Sequence, residues 1–304
     1  MAKTTKYSLL LLLGAAIWGF AFVAQSAGGD AIGPFTFNSI RNLIGAAILV
    51  PVILFLDRLG YGKKPKTKAD KKKLLIAGSL IGIVLFLATN LQQLGITYGR
   101  SAGKAGFITA TYLILVPILG LLLGKKCPLS VWLAVILAMI GIYLLSVTET
   151  SGLSWTDLLL LVSALCFAVQ ILLIDHFVSD VDGIRMAAIQ FLVCGLLSAV
   201  PAVILEQQNW AGPDGAFSAF LNPEAWGSIL YAGLLSCGVA YTLQIVGQKH
   251  VPPTLASLMM SFESVFCVLG GWIFLGEKLS PRQITGCVLM FLAILLVQVR
   301  QKKA

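Results

Sequence analysis

Of 304 residues, 58% are hydrophobic and 12% are charged, and the chain carries a net charge of +9 with a mean hydropathy of +0.91. Soluble domains carry about a quarter charged residues, and no soluble core could bury this apolar excess. A water-soluble protein is therefore excluded, and lipid is the solvent that the sequence fits.

Apolar runs of the ~20 residues that a helix needs to cross about 30 Å of hydrocarbon predict ten spans: 7–27, 34–56, 74–98, 102–123, 128–147, 154–176, 184–205, 225–247, 252–275 and 281–299. Helices are expected throughout, because an open sheet would leave backbone groups unpaired in lipid and the runs lack the alternation of a membrane barrel. Lys3 and Lys6 ahead of a leucine run look like a signal peptide. The run is long for that, and a counterpart returns later in the chain, so a retained helix is expected. The second span carries Arg41 between Asn38 and Asn42, and a basic loop follows over Lys63–Lys73. No aromatic residue interleaves those lysines, so the loop reads as topology and lipid-headgroup contact, not as a nucleic-acid site.

The third span holds Thr89, Asn90, Gln92, Gln93 and Thr97, with Thr89, Gln93 and Thr97 stacked on one face. Such a stripe either bonds to neighbouring helices or walls a wet cavity, where Gln170 and Gln244 would join it. The turn Gly99–Lys104 has three residues between its glycines where a phosphate loop needs four, and Ala105 stands in place of the Ser or Thr that would hold magnesium. ATP hydrolysis within the chain is thereby excluded. Gly78-x-x-x-Gly82 and Gly120-x-x-x-Gly124 predict close helix packing. Trp18, Tyr112 and Tyr241 lie toward the interior of their spans, where they serve packing or wall a cavity with ring faces that favour a cation. Trp210, Phe217, Phe220 and Trp226 flank the loop 206–224 and predict an interfacial belt. The fifth and tenth spans have almost purely apolar middles, which places them away from a cavity lined by helices one to four and six to nine.

Glu263 sits near the middle of the ninth span, whereas the other twelve acids fall in loops or near span ends. Placing a charge there costs on the order of 3 kcal/mol on insertion scales, so a partner, a proton or water must compensate. Two readings stand: an ion pair with Arg41, or binding of a cation, an amine or a proton. Arg41 correspondingly either clamps Glu263 or holds a substrate carboxylate.

With the N-terminus in the cytoplasm, 17 of the 22 Lys and Arg residues fall on inner loops, so both termini are expected there. Five of the six cysteines lie within apolar spans and Cys127 lies in an inner loop, which predicts free thiols and no disulfides. The only histidines, His176 and His250, sit at helix ends, and no metal-ligand spacing occurs.

The chain repeats itself. Leu91-Gln92-x-x-Gly95 matches Leu243-Gln244-x-x-Gly247, and Leu123-Gly124-Lys125-Lys126 matches Leu275-Gly276-Glu277-Lys278, at a constant offset of 152. Ala15–Gly19 matches Ala164–Ala168 at an offset of 149. Five helices per copy is an odd number, so the second copy enters the membrane from the opposite side. The expected fold class is an all-α membrane protein of ten transmembrane helices in two inverted five-helix repeats, residues 1–149 and 150–304. Inverted repeats suit alternating access.

Ala16-Ile17-Trp18-Gly19, Arg41, the stretch Ser101–Ile108, Pro117 and Leu275–Ser280, in this order and spacing, resemble the drug/metabolite transporter superfamily, specifically its EamA-type ten-helix members. The resemblance covers essentially the whole chain. It implies an inner-membrane secondary transporter, from a family whose substrates include amino acids, other metabolites, quaternary amines, drugs and nucleotide sugars. The first half departs from the pattern, with Leu-Gly-Lys-Lys where the second carries Leu-Gly-Glu-Lys.

The expected substrate-binding residues are Trp18, Arg41, Asn90, Gln93, Tyr112, Gln170, Tyr241 and Glu263. No catalytic or metal-binding residue and no cofactor is expected. The expected partners are a small-molecule substrate and the bilayer, with protons or another coupling ion as candidates and no nucleic acid. A flippase for a lipid-linked substrate is the alternative. A membrane-embedded enzyme would need acids, histidines or metal ligands clustered at one depth, and here most of them lie at loops.

Overall fold

The computed structural model describes residues 2–60, 64–99, 102–125, 127–146, 154–210, 220, 223–275 and 280–301. Helices α1 (Ala2–Ile32), α2 (Pro34–Arg58) and α3 (Lys68–Gly99) form the first three crossings. The fourth crossing is broken into α4 (Ala102–Thr109) and α5 (Tyr112–Leu122), and α6 (Leu129–Ser146) closes the first half. The second half opens with α7 (Trp155–Phe177) and α8 (Gly183–Leu205). Its eighth crossing runs through α9 (Pro223–Leu230), a π-helical stretch Tyr231–Ala240 and α10 (Tyr241–Gln248). Helices α11 (Pro253–Met260) and α12 (Glu263–Leu275) make a second broken crossing, and α13 (Pro281–Gln301) the last. No strand occurs among the described residues.

Among the described residues, six helical stretches are long and apolar enough to cross a bilayer: Pro34–Arg58, Lys68–Gly99, Ala105–Leu122, Trp155–Phe177, Gly183–Leu205 and Ala225–Gln248. Shorter apolar helices, Lys6–Phe22, Leu129–Leu145, Pro253–Leu269 and Pro281–Leu296, occupy the other four expected spans. Large side chains such as Leu13, Phe55, Leu158, Leu196 and Phe291 face outward, as a bundle solvated by lipid requires.

The packing repeats with the sequence. Helix α3 lies against α7, and its counterpart, the eighth crossing, lies against α1. Helix α3 also meets α8, as the eighth crossing meets α2, while α2 with α8 and α6 with α13 are each other's counterparts. Gly78 and Gly82 are close-packing sites: a Cβ on them would stand 2.6 Å from Cβ of Ile189 and 2.8 Å from the carbonyl of Gln190. Gly120-x-x-x-Gly124 is not such a site. Gly124 ends its helix at φ 76°, where Lys125 N–H donates to the Gly120 carbonyl at 2.9 Å, so its glycine serves the turn.

The ends of α2 and α8 are tied at both faces by positions 149 apart. At the face bearing most lysines, the basic face, Arg185 Nη2 donates to both Asp57 carboxylate oxygens at 2.7 Å. At the far face, Glu206 accepts from the N–H groups of Phe35 at 2.9 Å and Thr36 at 2.7 Å, and from the Thr36 hydroxyl at 2.7 Å. Glu206 is the counterpart of Asp57, and Thr36 that of Arg185. Gly33, at φ 95°, lets the chain turn against the Glu206 carboxyl, which a Cβ there would meet at 2.6 Å. Lys73–Asp180 at 2.6 Å and Lys125–Asp175 also join the halves at the basic face.

None of the six cysteines is joined in a disulfide. Trp210 Nε1 donates to the Thr36 hydroxyl at 2.9 Å and Trp226 Nε1 to the Phe220 carbonyl at 2.6 Å. Phe217, Lys126, Arg100, Ser101 and the motif residues Gly276–Leu279 lie outside the described residues.

Candidate substrate-binding site

Both broken crossings place a polar side chain where helix restarts. Thr111 Oγ1 donates to the Ile108 carbonyl at 2.6 Å, and Ser261 Oγ to that of Leu258 at 2.9 Å. These hydroxyls take up carbonyls that a continuous helix would use. Tyr112 then opens α5 and Glu263 opens α12, where the helix N-terminal dipole favours a carboxylate. The two meet between the halves: Tyr112 Oη donates to Glu263 Oε1 at 3.3 Å across 151 positions of sequence.

Around them lies a partly open cavity, walled by the first four crossings and by α7, the eighth and the ninth. Helix α1 supplies Trp18, Phe22 and Gln25, α2 supplies Arg41, and α3 supplies Gln92. Thr109 and Tyr112 come from the fourth crossing, and Phe167, Gln170 and Ile171 from α7. Ser236, Tyr241 and Gln244 come from the eighth crossing and Met260 and Glu263 from the ninth. Helices α6 and α13 stay outside, as their apolar middles predict. Helix α8 supplies no lining residue, contrary to expectation, because it is packed between α2 and α3.

The Trp18-Gly19 pair sets one wall. A Cβ on Gly19 would stand 2.6 Å from the Glu263 carbonyl, so only glycine lets α1 come this close to the start of α12. Trp18 meets Tyr241 edge-on at 4.8 Å, and Phe191 buttresses Tyr241 from behind at 5.4 Å. The π-helical stretch turns Ser236 and Tyr241 to the same cavity; such wide turns often mark functional places in helices.

The polar lining is under-satisfied by protein. Gln244 Nε2 donates to Gln170 Oε1 at 3.3 Å. The remaining amide atoms, Gln170 Nε2 and Gln244 Oε1, are buried without a protein partner, as are Trp18 Nε1, Gln25 Oε1 and Arg41 Nε. Buried polar groups are normally paired, so these five unmet atoms on cavity-lining residues call for water or a polar solute as partner. Arg41, 4% exposed, lies 5.5 Å from the Phe37 ring centre. Among the described residues no ion pair joins it to Glu263, so the clamp between these charges is not how the site is built.

Six of the eight expected residues line the cavity: Trp18, Arg41, Tyr112, Gln170, Tyr241 and Glu263. Asn90 and Gln93 do not. Asn90 Nδ2 donates to Ser198 Oγ at 2.8 Å and its Oδ1 accepts from Asn38 at 3.1 Å, while Gln93 Nε2 donates to the Gln25 carbonyl at 2.7 Å. Thr89 donates to the Leu85 carbonyl of its own helix at 2.8 Å and meets Cys194 Sγ on α8 at 3.7 Å. The stripe on α3 thus serves helix–helix bonding, and Gln92, one position around from Gln93, faces the cavity. The duplication carried the missing signal: Gln92 pairs with Gln244 and Trp18 with Phe167 in the matched motifs, and all four line the cavity.

The profile of the EamA-like transporter family matches residues 5–147 and again 154–299. An uncharacterized transporter of Archaeoglobus fulgidus is 32% identical over 294 residues, covering 95% of this chain and 85% of that protein. The uncharacterized transporter YwfM of Bacillus subtilis is 26% identical, with 99% and 96% covered. A solved crystal structure shares the fold at a TM-score of 0.76 and 17% identity, over 98% of both chains. A helical bundle with a polar cavity between two repeated halves defines a multi-pass membrane transporter. The chain belongs to the EamA-like transporter family, within the drug/metabolite transporter superfamily.

Proposed function

We propose that this transporter carries a small polar or cationic metabolite, an amino acid, amine or drug-like compound, by alternating access through the cavity between its halves. The observation that carries the proposal is the pairing of an acid and a base in one cavity without an ion pair between them. Glu263 is 7% exposed and accepts from Tyr112; Arg41 keeps a buried Nε without a protein partner. A ligand with an ammonium group and an accepting group satisfies both, and Trp18 and Tyr241 offer ring faces to a cation. Glu263 exchanging a proton or cation with the ligand is the coupling step of this reading. The buried lining favours a solute over a lipid-linked substrate, and the activity is transport without catalysis. Both termini lie in the cytoplasm, on the strength of the basic loops.

The test is a thermal-shift screen of amino acids, quaternary amines and nucleotide sugars, followed by uptake of the stabilising compound into proteoliposomes. Glu263→Gln is expected to lower uptake at least about tenfold, the scale of one lost charge-assisted hydrogen bond, and to change its pH dependence. A folded Glu263→Gln protein with unchanged affinity, rate and pH profile would remove Glu263 from the site. An active alkaline phosphatase fused at Ala304 would overturn the cytoplasmic termini.

A further inference from the structure

Gln190, on α8, is fully buried at 0% exposure, and neither its Nε2 nor its Oε1 has a protein hydrogen-bond partner. A primary amide can make four hydrogen bonds, and burying it with none is unfavourable. A leucine would fill the place at less cost, so the amide works against the conformation seen here.

Its position supplies a reason. Gln190 is the counterpart of Arg41 at the same offset of 149 that relates Thr36 to Arg185 and Asp57 to Glu206. The packing repeats around both: a Cβ on Gly233 would stand 3.2 Å from the Arg41 carbonyl, and one on Gly82 would stand 2.8 Å from the Gln190 carbonyl. Gly82 and Gly233 lie 151 positions apart, one short of the 152 that relates Leu91 to Leu243, with part of the π-helical stretch Tyr231–Ala240 falling between Gly233 and Leu243. Yet Arg41 lines the cavity and Gln190 does not. Equivalent backbone places with unlike surroundings are what inverted repeats give when each half holds one of two exchangeable conformations.

We propose that Gln190 is the ligand contact of the opposite access state: as the halves exchange conformations, α8 brings its amide into the cavity wall while α2 withdraws Arg41. The inference rests on the alternating-access reading. It also gives the two states different chemistry. Arg41 offers a fixed charge and several donors, whereas the amide offers two donors, one acceptor and no charge. A ligand carrying an anionic or strongly accepting group is therefore held more tightly in the Arg41 state than in the Gln190 state. The two residues set an affinity difference between the faces.

Single cysteines in full-length protein lacking the native six, in sided membrane vesicles, test this with an anionic, membrane-impermeant methanethiosulfonate. Arg41→Cys should react from the far face, Gln190→Cys from the basic face, and Glu263→Cys from both. If Gln190→Cys stays unreactive from either side while Glu263→Cys reacts from both, Gln190 is packing only and alternating access stands. If Arg41→Cys reacts from both faces, the exchange of Arg41 for Gln190 falls and alternating access stands; if Glu263→Cys reacts from one face alone, the two readings fall together. Gln190→Leu gives an independent measure. It should raise the Tm and slow modification of Glu263→Cys from the basic face about tenfold or more, by favouring the state in which position 190 is dry. A lowered Tm or an unchanged rate overturns the proposal.

Discussion

The two ends of the α2–α8 pair are closed by equivalent positions with different chemistry. At the basic face Asp57 takes a bidentate hydrogen bond from an arginine side chain. At the far face its counterpart Glu206 accepts two backbone N–H groups and a hydroxyl at the start of α2. The duplication kept the geometry of an acid reaching from the end of one helix to the beginning of the other, and only the donors diverged. A side-chain ion pair at the rim can swing away into water with its hydration restored. Backbone N–H groups at a helix start have no such freedom, so the far tie is the stronger and the basic tie the easier to release.

Substitution should expose that inequality. Glu206→Ala leaves three donors around Phe35 and Thr36 unpaired and should cost about 2–4 kcal/mol, one to two buried hydrogen bonds with their desolvation. Asp57→Ala leaves Arg185 with Asp182, 3.4 Å away, and should lower thermal stability less. Calorimetry in detergent decides it, and an Asp57→Ala protein as unstable as Glu206→Ala would break the comparison.

Gly19→Ala sharpens it from inside the bundle. The new methyl would stand 2.5 Å from Cβ of Phe266, so α1 and α12 must part, at a cost of about 1–3 kcal/mol by overpacking. Because the displaced atoms hold Glu263, ligand affinity should fall more than the Tm implies; an affinity that follows the Tm alone would detach the Trp18-Gly19 motif from the site.

The smallest effect is expected at Asp180. Its carboxyl is held below the usual carboxylate range, chiefly by the hydrogen bond from Lys73, and both side chains are about half exposed. The lowered pKa means that this contribution is complete above the ordinary carboxylate range and lost only as pH falls through the lowered value. Asp180→Asn should therefore change the Tm by about 2 °C or less, with no trend across neutral pH and weaker still in high salt. A larger shift, or one appearing near neutrality, would make this pair a structural tie like Asp57–Arg185.

Much of this could be read from residues in line. Ten apolar runs without strand alternation required ten helical crossings, because only helices and closed barrels pair the whole backbone in lipid. The matched motifs announced the duplication because equivalent packing demands the same small, aromatic and amide residues in both copies. Glu263 stood out because a mid-span acid is costly unless it has a use or a partner. Neighbouring positions on α3 were beyond such reading: Gln92 and Gln93 differ by about 100° around a helix, and only the placement of α1 and the fourth crossing decides which amide meets the cavity and which meets the Gln25 carbonyl. The breaks at Ala110–Thr111 and Ser261–Phe262 likewise carry no proline or glycine. They depend on hydroxyls taking up backbone carbonyls in a packed interior, and that competition is settled by tertiary surroundings. Composition and repetition determined a duplicated membrane bundle with one mid-span acid. The separation of Arg41 from Glu263, and the burial of Gln190 where its counterpart lines the cavity, were decided by how the two halves meet, because identical offsets in sequence can hold different conformations once the halves pack asymmetrically.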